Sequence, residues 1–307
     1  MTTFDLPGDL PGDLPGDVPG DAPGRGGPAA ARAFLPPPPA TAPARFRWAL
    51  HDGVTVVRRN LAQLKAQPGE LVGALVFPAI MVVLFGYVFG SAIAVPGGGN
   101  YREYLMPGLF AMTTITGVLP TLLGMATDAG KGIMDRFRSM PIARSAVPFG
   151  QTGADILTGA LAMTIMVGCG FVVGWRPHRG IAATLAAFGL LVLMRYAVSW
   201  LGAYLGLLIG DPQTADQYVP LVFPVTMVSN TFVPTAHMPV WLRAIADWNP
   251  VSALVAACRE LFGNPGAPTG HPPWPIAHPV VATLGWSILL LAVCVPLAVR
   301  RYVTMSR

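Results

Sequence analysis

Charge is what this sequence has least of. Only 11% of its 307 residues are Asp, Glu, Lys or Arg, while 53% are apolar, against about 25% charged in an average soluble domain. A water-soluble fold of this length needs a polar coat, and 20 bases with 15 acids, five of them in one N-terminal repeat, cannot provide it. The mean hydropathy of +0.54 points the same way, so the expected solvent is lipid. Cysteine is nearly absent: Cys169, Cys258 and Cys294 have neither the even number nor the paired spacing of a disulfide framework or zinc site. The histidines His51, His178, His237, His271 and His278 are scattered, with no i, i+4 pair and carboxylate, so no metal site is expected. A phosphate loop is missing as well. Gly124 and Gly130-Lys131-Gly132 are separated by five residues instead of four, and Gly132 stands where Ser or Thr would hold magnesium. Catalysis and an ATP site on this chain are therefore not expected. The net charge of +5 is spread out, with no basic stripe carrying interleaved aromatics, which argues against a nucleic-acid partner. A secretory signal is not expected either, because the chain opens on acids with no apolar block after them.

What the sequence does have is long apolar runs behind an unusual tail. Residues 5–24 are five tandem tetrapeptides, Asp-Leu-Pro-Gly three times and then Asp-Val-Pro-Gly and Asp-Ala-Pro-Gly. Pro-Gly at every fourth position permits turns or extended chain and no packed helix, so residues 1–44 are expected to be a disordered tail. From Arg45 to Lys65 the apolar residues Phe46, Leu50, Val54, Val57, Leu61 and Leu64 step by three and four, with Arg45, Arg47, Arg58, Arg59 and Lys65 elsewhere. That spacing predicts an amphipathic helix lying in a membrane interface, its bases on anionic headgroups and Trp48 at the boundary.

Six runs follow, at about 71–93, 105–127, 153–175, 181–209, 219–238 and 280–299. Each reaches the roughly 20 residues that cross a 30 Å hydrocarbon layer as a helix. The expected fold is an all-α integral membrane protein: six transmembrane helices, an N-terminal amphipathic interfacial helix and an outer re-entrant hairpin. Placing both termini in the cytoplasm puts 14 of the 20 Lys and Arg residues inside and five (Arg102, Arg176, Arg179, Arg243 and Arg259) outside, with Arg195 inside a span.

Within this frame a few residues stand out. Arg195 is the most costly, since a central charge costs about 2.5–3.5 kcal/mol on insertion scales; it is either a path or gate residue, or a structural arginine snorkelling to the outer boundary beside Tyr196 and Trp200. Asp155 reads as a helix cap. Gly170 with Gly174, and Gly202 with Gly206 and Gly210, permit close helix approach, within the chain or to a second copy. The loop from Asp128 to Ser145 has four bases and an apolar set of Ile133, Met134, Phe137, Met140 and Ile142, which fits a short helix docking into a cytoplasmic partner. Between the last two runs, two short amphipathic pieces joined by Asn249-Pro250 are too brief to cross a bilayer and read as a half-embedded outer hairpin.

The segment Asn230-Thr-Phe232-Val-Pro234, then Met238-Pro239, Trp241-Leu242, Asn249-Pro250 and Arg259, together with Arg136-Phe-Arg-Ser-Met-Pro-Ile-Ala-Arg144, resembles the membrane subunit of ABC type-2 transporters, nearest to the actinobacterial daunorubicin-resistance permeases. The resemblance covers residues 45–305; the N-terminal repeat has no counterpart in it. It implies a non-catalytic permease in the cell membrane, working as a homodimer, each copy clasped by a separate ATPase subunit that binds ATP and magnesium. It makes Lys131–Arg144 the coupling helix, with Arg136, Phe137, Arg138, Met140, Pro141 and Arg144 as the docking set, and the helix at 45–65 the connecting helix. Polar groups available to line a path are few, namely Thr113, Thr114, Thr116, Thr121, Ser199, Thr226, Ser229, Asn230 and Thr231; the candidates for a path or gate are Thr113, Arg195, Ser199, Asn230 and Phe232. Such a path favours a hydrophobic drug, antibiotic or other natural product as cargo. The alternatives are a lipid-linked glycan exporter of the same architecture, an integral-membrane transferase, for which clustered acids or histidines at the boundary are missing, and a proton-driven carrier, for which span acids and an internal repeat are missing.

Overall fold

The computed structural model describes residues 76, 80–88, 95, 98–130, 146–235, 238–266 and 272–304, and everything among them is helix, turn or irregular chain. The N-terminal tail, the amphipathic helix at 45–65, most of the first apolar run and the loop at 131–145 lie outside the described residues. The remainder of the first run contains a π-helical turn, Leu84–Val88. Ten α-helices follow: α1 Tyr101–Ile115, α2 Val118–Gly130, α3 Ala146–Val173, α4 Ile181–Ile209, α5 Pro212–Asp216, α6 Val219–Met227, α7 Val240–Trp248, α8 Pro250–Phe262, α9 Trp274–Ala277 and α10 Pro279–Thr304.

Among the described residues, four stretches are long and apolar enough to cross a membrane: 101–130, 148–173, 181–209 and 279–304. The first is α1 and α2 in line, interrupted at Thr116-Gly117. Pro120 causes the interruption: it has no N–H for the Thr116 carbonyl four residues back, and its ring would collide with that oxygen. The chain tightens instead, with Gly117 N–H donating to the Thr114 carbonyl at 3.2 Å and Leu119 N–H to that of Thr116 at 3.1 Å. α4 is the central helix, and α1, α2, α3, α8 and α10 all pack on it. Gly202 and Gly206 let α2 come close: a Cβ on Gly206 would lie 2.8 Å from Met125 Cβ and closer still to the Leu122 carbonyl. These two glycines therefore serve packing within the chain.

The expected fifth span is different. Residues 219–238 begin with the nine-residue α6 and then turn; nine residues extend only about 13 Å along a helix axis. The cause lies in side chains that capture backbone carbonyls. Asn249 Nδ2 donates to the carbonyls of Val225 at 2.9 Å and Val228 at 2.7 Å, so the chain has partners other than the next helical turn. Two short helices joined at Asn249-Pro250 are present as α7 and α8, Asn249 capping the second by accepting from Val251 N–H at 2.9 Å. They are unequal partners. α8 is a core helix with Leu254, Val255, Cys258 and Phe262 fully buried, while Trp241, Ile245 and Trp248 of α7 are exposed.

The core around α1, α4 and α8 is closed by aromatic rings. Trp175 meets Phe110 and Phe262 edge-on, each at 5.1 Å between centroids, and its indole N–H donates to Asn264 Oδ1 at 2.8 Å. Such ring pairs contribute about 0.5–1.5 kcal/mol each beyond the area they bury. Outward faces are apolar too: Leu157, Leu161 and Ile165 of α3 and Ile288, Leu289 and Val293 of α10 are exposed, as a lipid-facing surface would be.

Candidate functional site

Two buried polar clusters interrupt this apolar body, and the five path candidates fall into them. The first is built around Arg195, at the middle of α4 with fourteen residues on either side. Its Nη2 donates to Asp155 Oδ1 at 2.7 Å, Nη1 to the Thr113 carbonyl at 2.9 Å and Nε to the Asp155 carbonyl at 3.2 Å. Ser199, one helical turn on, donates its hydroxyl to the other Asp155 carboxylate oxygen. Arg195 is 9% exposed, Asp155 5% and Ser199 0%, so this is a neutral ion pair sealed inside the helices.

Two sequence expectations change here. Asp155 does not cap α3; the helix starts at Ala146, nine residues earlier, and the carboxylate is the counter-ion of Arg195. Arg195 does not snorkel to a membrane boundary, because its side chain is buried and ends on the Asp155 carboxylate and the Thr113 carbonyl within the helices. The signal that could have found the pair was available: one acid and one base, each alone in an apolar span, are expected to meet. Room for the guanidinium comes from Gly117 and Gly159. A Cβ on Gly117 would lie 2.6 Å from Arg195 Cζ, and one on Gly159 would overlap the side chain outright.

The second cluster gathers the backbone where α6 ends. Arg259 of α8, 3% exposed, donates through Nε to the Tyr104 carbonyl at 3.0 Å and through Nη2 to the carbonyls of Asn230 at 2.9 Å and Thr231 at 3.1 Å. Its guanidinium stands 3.6 Å over the Tyr104 ring, a cation–π contact of about 2 kcal/mol when desolvated. Tyr104 donates its hydroxyl to the Asn230 carbonyl at 3.1 Å and Tyr101 to that of Phe232 at 2.9 Å. Asn230 N–H finds Ser252 Oγ at 3.1 Å. Among the described residues no carboxylate pairs with Arg259, so backbone dipoles and a ring face hold its charge. Arg259 served the sequence reading only as an outer base and part of a motif, and Tyr101 and Tyr104 were missed, since hydropathy says nothing of which carbonyls a broken helix leaves open.

Arg195 and Ser199 thus meet at Asp155, with the Thr113 carbonyl on the far side of the guanidinium, while Asn230 and Phe232 meet at the tyrosines and Arg259. Several hydroxyls considered for a path turn back onto their own helix: Thr113 donates to the Leu109 carbonyl and Thr114 to that of Phe110, each at 2.9 Å. Among the described residues, Asn230 Oδ1 and Thr121 Oγ1 are buried without a partner. The docking candidates Arg136, Phe137, Arg138, Met140, Pro141 and Arg144 lie outside the described residues.

An ion pair inside a span, a broken helix held by side chains and four long apolar helices are features of a polytopic transport protein, and comparison with known proteins agrees. Residues 53–262 match the family model described as ABC-2 type transporter. A daunorubicin resistance ABC transporter permease protein of Streptomyces coeruleorubidus is 30% identical over 251 residues, which cover 81% of this chain and 85% of the relative. A doxorubicin resistance ABC transporter permease protein of Mycobacterium tuberculosis is 27% identical over 251 residues, covering 77% of this chain and 85% of the relative. The matched region contains both buried clusters and the loop between α2 and α3, and the chain belongs to the ABC-2 type transporter family of membrane permeases.

Proposed function

We propose that this chain is the membrane-spanning subunit of an ATP-driven exporter that moves a hydrophobic drug, antibiotic or other natural product out of the cell. The observation that carries the reading is the 30% identity, over 81% of the chain, to a permease named for daunorubicin resistance. The chain would work as a homodimer in the cell membrane with both termini cytoplasmic, six spans and α7–α8 as a re-entrant outer hairpin; the Lys and Arg distribution supports that orientation. A separate ATPase subunit would bind ATP and magnesium and dock on the loop between α2 and α3, where Arg136, Phe137, Arg138, Met140, Pro141 and Arg144 combine charge with apolar anchors. Closure of two ATPase copies would push on that loop and shift the helices between inward-open and outward-open states. A greasy cargo suits a chain with so few polar groups to replace water around a sugar or ion.

Co-purification tests the docking. Phe137→Asp with Met140→Asp places two charges where apolar anchors are needed, and the ATPase subunit is expected to be lost from the complex while membrane insertion is unchanged. A complex of unchanged stoichiometry rules the loop out as the docking site.

A further inference from the structure

We propose that Asp155 is the positioning partner of Arg195, and that the pair is a clamp fixing the elbow between α1 and α2 against α3 and α4. The chain itself holds the guanidinium on several sides and takes three of its five N–H donors. Three donors end on Asp155 Oδ1, the Asp155 carbonyl and the Thr113 carbonyl; the remaining carboxylate oxygen receives the Ser199 hydroxyl, and Gly117 and Gly159 lie directly against the side chain.

The elbow and the arginine depend on each other. In an unbroken helix the Thr113 carbonyl would accept from Gly117 N–H; here that N–H goes to Thr114 instead. Apart from the Thr116 hydroxyl at 3.2 Å, Arg195 Nη1 supplies the missing donor. Gly117, at the break itself, leaves the space a side chain would fill. Straightening α1–α2 would therefore take an acceptor from a charge that costs several kcal/mol to strand in an apolar interior.

The position of the clamp gives it a mechanical role. α2 runs from the elbow to Gly130 and α3 starts again at Ala146, so the loop proposed to receive the ATPase joins two helices that the clamp ties together further along. Asp155 on α3, Arg195 on α4 and the elbow above α2 close that hairpin, so a push on its loop moves α2, α3 and α4 as one lever. This part rests on the function proposed above.

Two measurements separate the clamp from that function. In detergent-purified protein, Asp155→Asn and Arg195→Gln each lower the unfolding midpoint, the double variant falls no further than the worse single one, and the milder Ser199→Ala has an effect only while Asp155 is present; additive losses overturn the clamp. Hydrogen exchange of the Asp155→Asn protein should rise at 113–119 before it rises along α4, and a uniform rise would likewise overturn it. In vesicles containing the ATPase complex, with doxorubicin as the probe, Asp155→Leu together with Arg195→Met keeps the buried volume without the charges. ATP hydrolysis should persist while doxorubicin movement drops about tenfold, the scale of a coupling change near 1–2 kcal/mol. Unchanged movement, or equal loss of both, removes the lever. Should the wild-type complex fail to move doxorubicin, the export reading falls for that cargo, and the unfolding cycle still decides the clamp.

Discussion

Arg259→Ala offers the sharpest separation between a buried charge that is merely tolerated and one that organises the chain. The substitution removes three charge-assisted hydrogen bonds, to the carbonyls of Tyr104, Asn230 and Thr231, and the guanidinium above the Tyr104 ring. The Asn230 carbonyl keeps the Tyr104 hydroxyl, so the Thr231 carbonyl is the one left open. A buried polar group without a partner costs about 1–3 kcal/mol, and the lost ring contact adds about 2 kcal/mol. Releasing the cation from its buried place offsets part of this, for a net loss of about 2–4 kcal/mol. For a domain of this size each kcal/mol lowers the melting midpoint by about 2–4 °C, so a drop of roughly 5–15 °C is expected. Tyr104→Phe is the internal control. It removes one neutral hydrogen bond from a carbonyl that Arg259 still serves, at about 1 kcal/mol. The assay is thermal unfolding in detergent, followed by fluorescence-detected size exclusion. If Arg259→Ala melts no lower than Tyr104→Phe, the guanidinium does not hold the break after α6.

Two glycines that look alike in sequence should respond oppositely to the same methyl group. Gly206→Ala gains about 1 kcal/mol of helix propensity, but its Cβ meets the Leu122 backbone carbonyl, which no rotamer can clear, so the midpoint should fall. Gly168 has nothing within 4 Å of its Cβ position, and Gly168→Ala should raise the midpoint by the propensity alone; the same sign for both would show that neither close approach nor open space decides the outcome. Asn249→Ala loses the cap of α8, about 1 kcal/mol, and both carbonyl contacts at Val225 and Val228. Asn249→Asp should not rescue it, since a carboxylate can cap α8 but only repels those carbonyls; hydrogen exchange over residues 225–232 reports this directly, and protection restored by Asp would refute the assignment.

The contrast between α4 and the fifth apolar run shows what hydropathy can read. Ile181–Ile209 is apolar for 29 residues, and its charge, the single Arg195, has a partner in the structure, so the helix continues unbroken through it. The run at 219–238 is equally apolar, yet its helix stops at Met227. What separates them is distant in sequence: Asn249, Ser252 and Arg259 on one side and Tyr101 and Tyr104 on the other supply the donors and acceptors that make turns at 228–232 affordable. A window of neighbouring residues contains none of them. The intermediate case is Thr116-Gly117, where Pro120 marks the break locally but gives no hint that Arg195, some 80 positions on, will occupy it.

The same distinction explains why the candidate site was half legible. Residue type alone singled out Arg195, because a charge in an apolar run is costly, and Ser199 and Asn230, because polar groups in those runs are few. Partners required topology. Asp155 reads as a cap from its place near the start of its apolar run, whereas α3 begins nine residues before it and turns the carboxylate inward. The glycines that matter for the charge, Gly117 and Gly159, fall outside the spaced pairs that mark helix contacts, since what they accommodate is a side chain and not a second backbone. A buried ion pair adds little net stability when apolar residues of the same volume could replace it. Its retention in mid-helix is therefore better explained by placement: it specifies which face of α3 meets which face of α4, and at what height the elbow of α1–α2 is held. Apolar contacts such as Met194 on the surrounding core leave both of those free to slide.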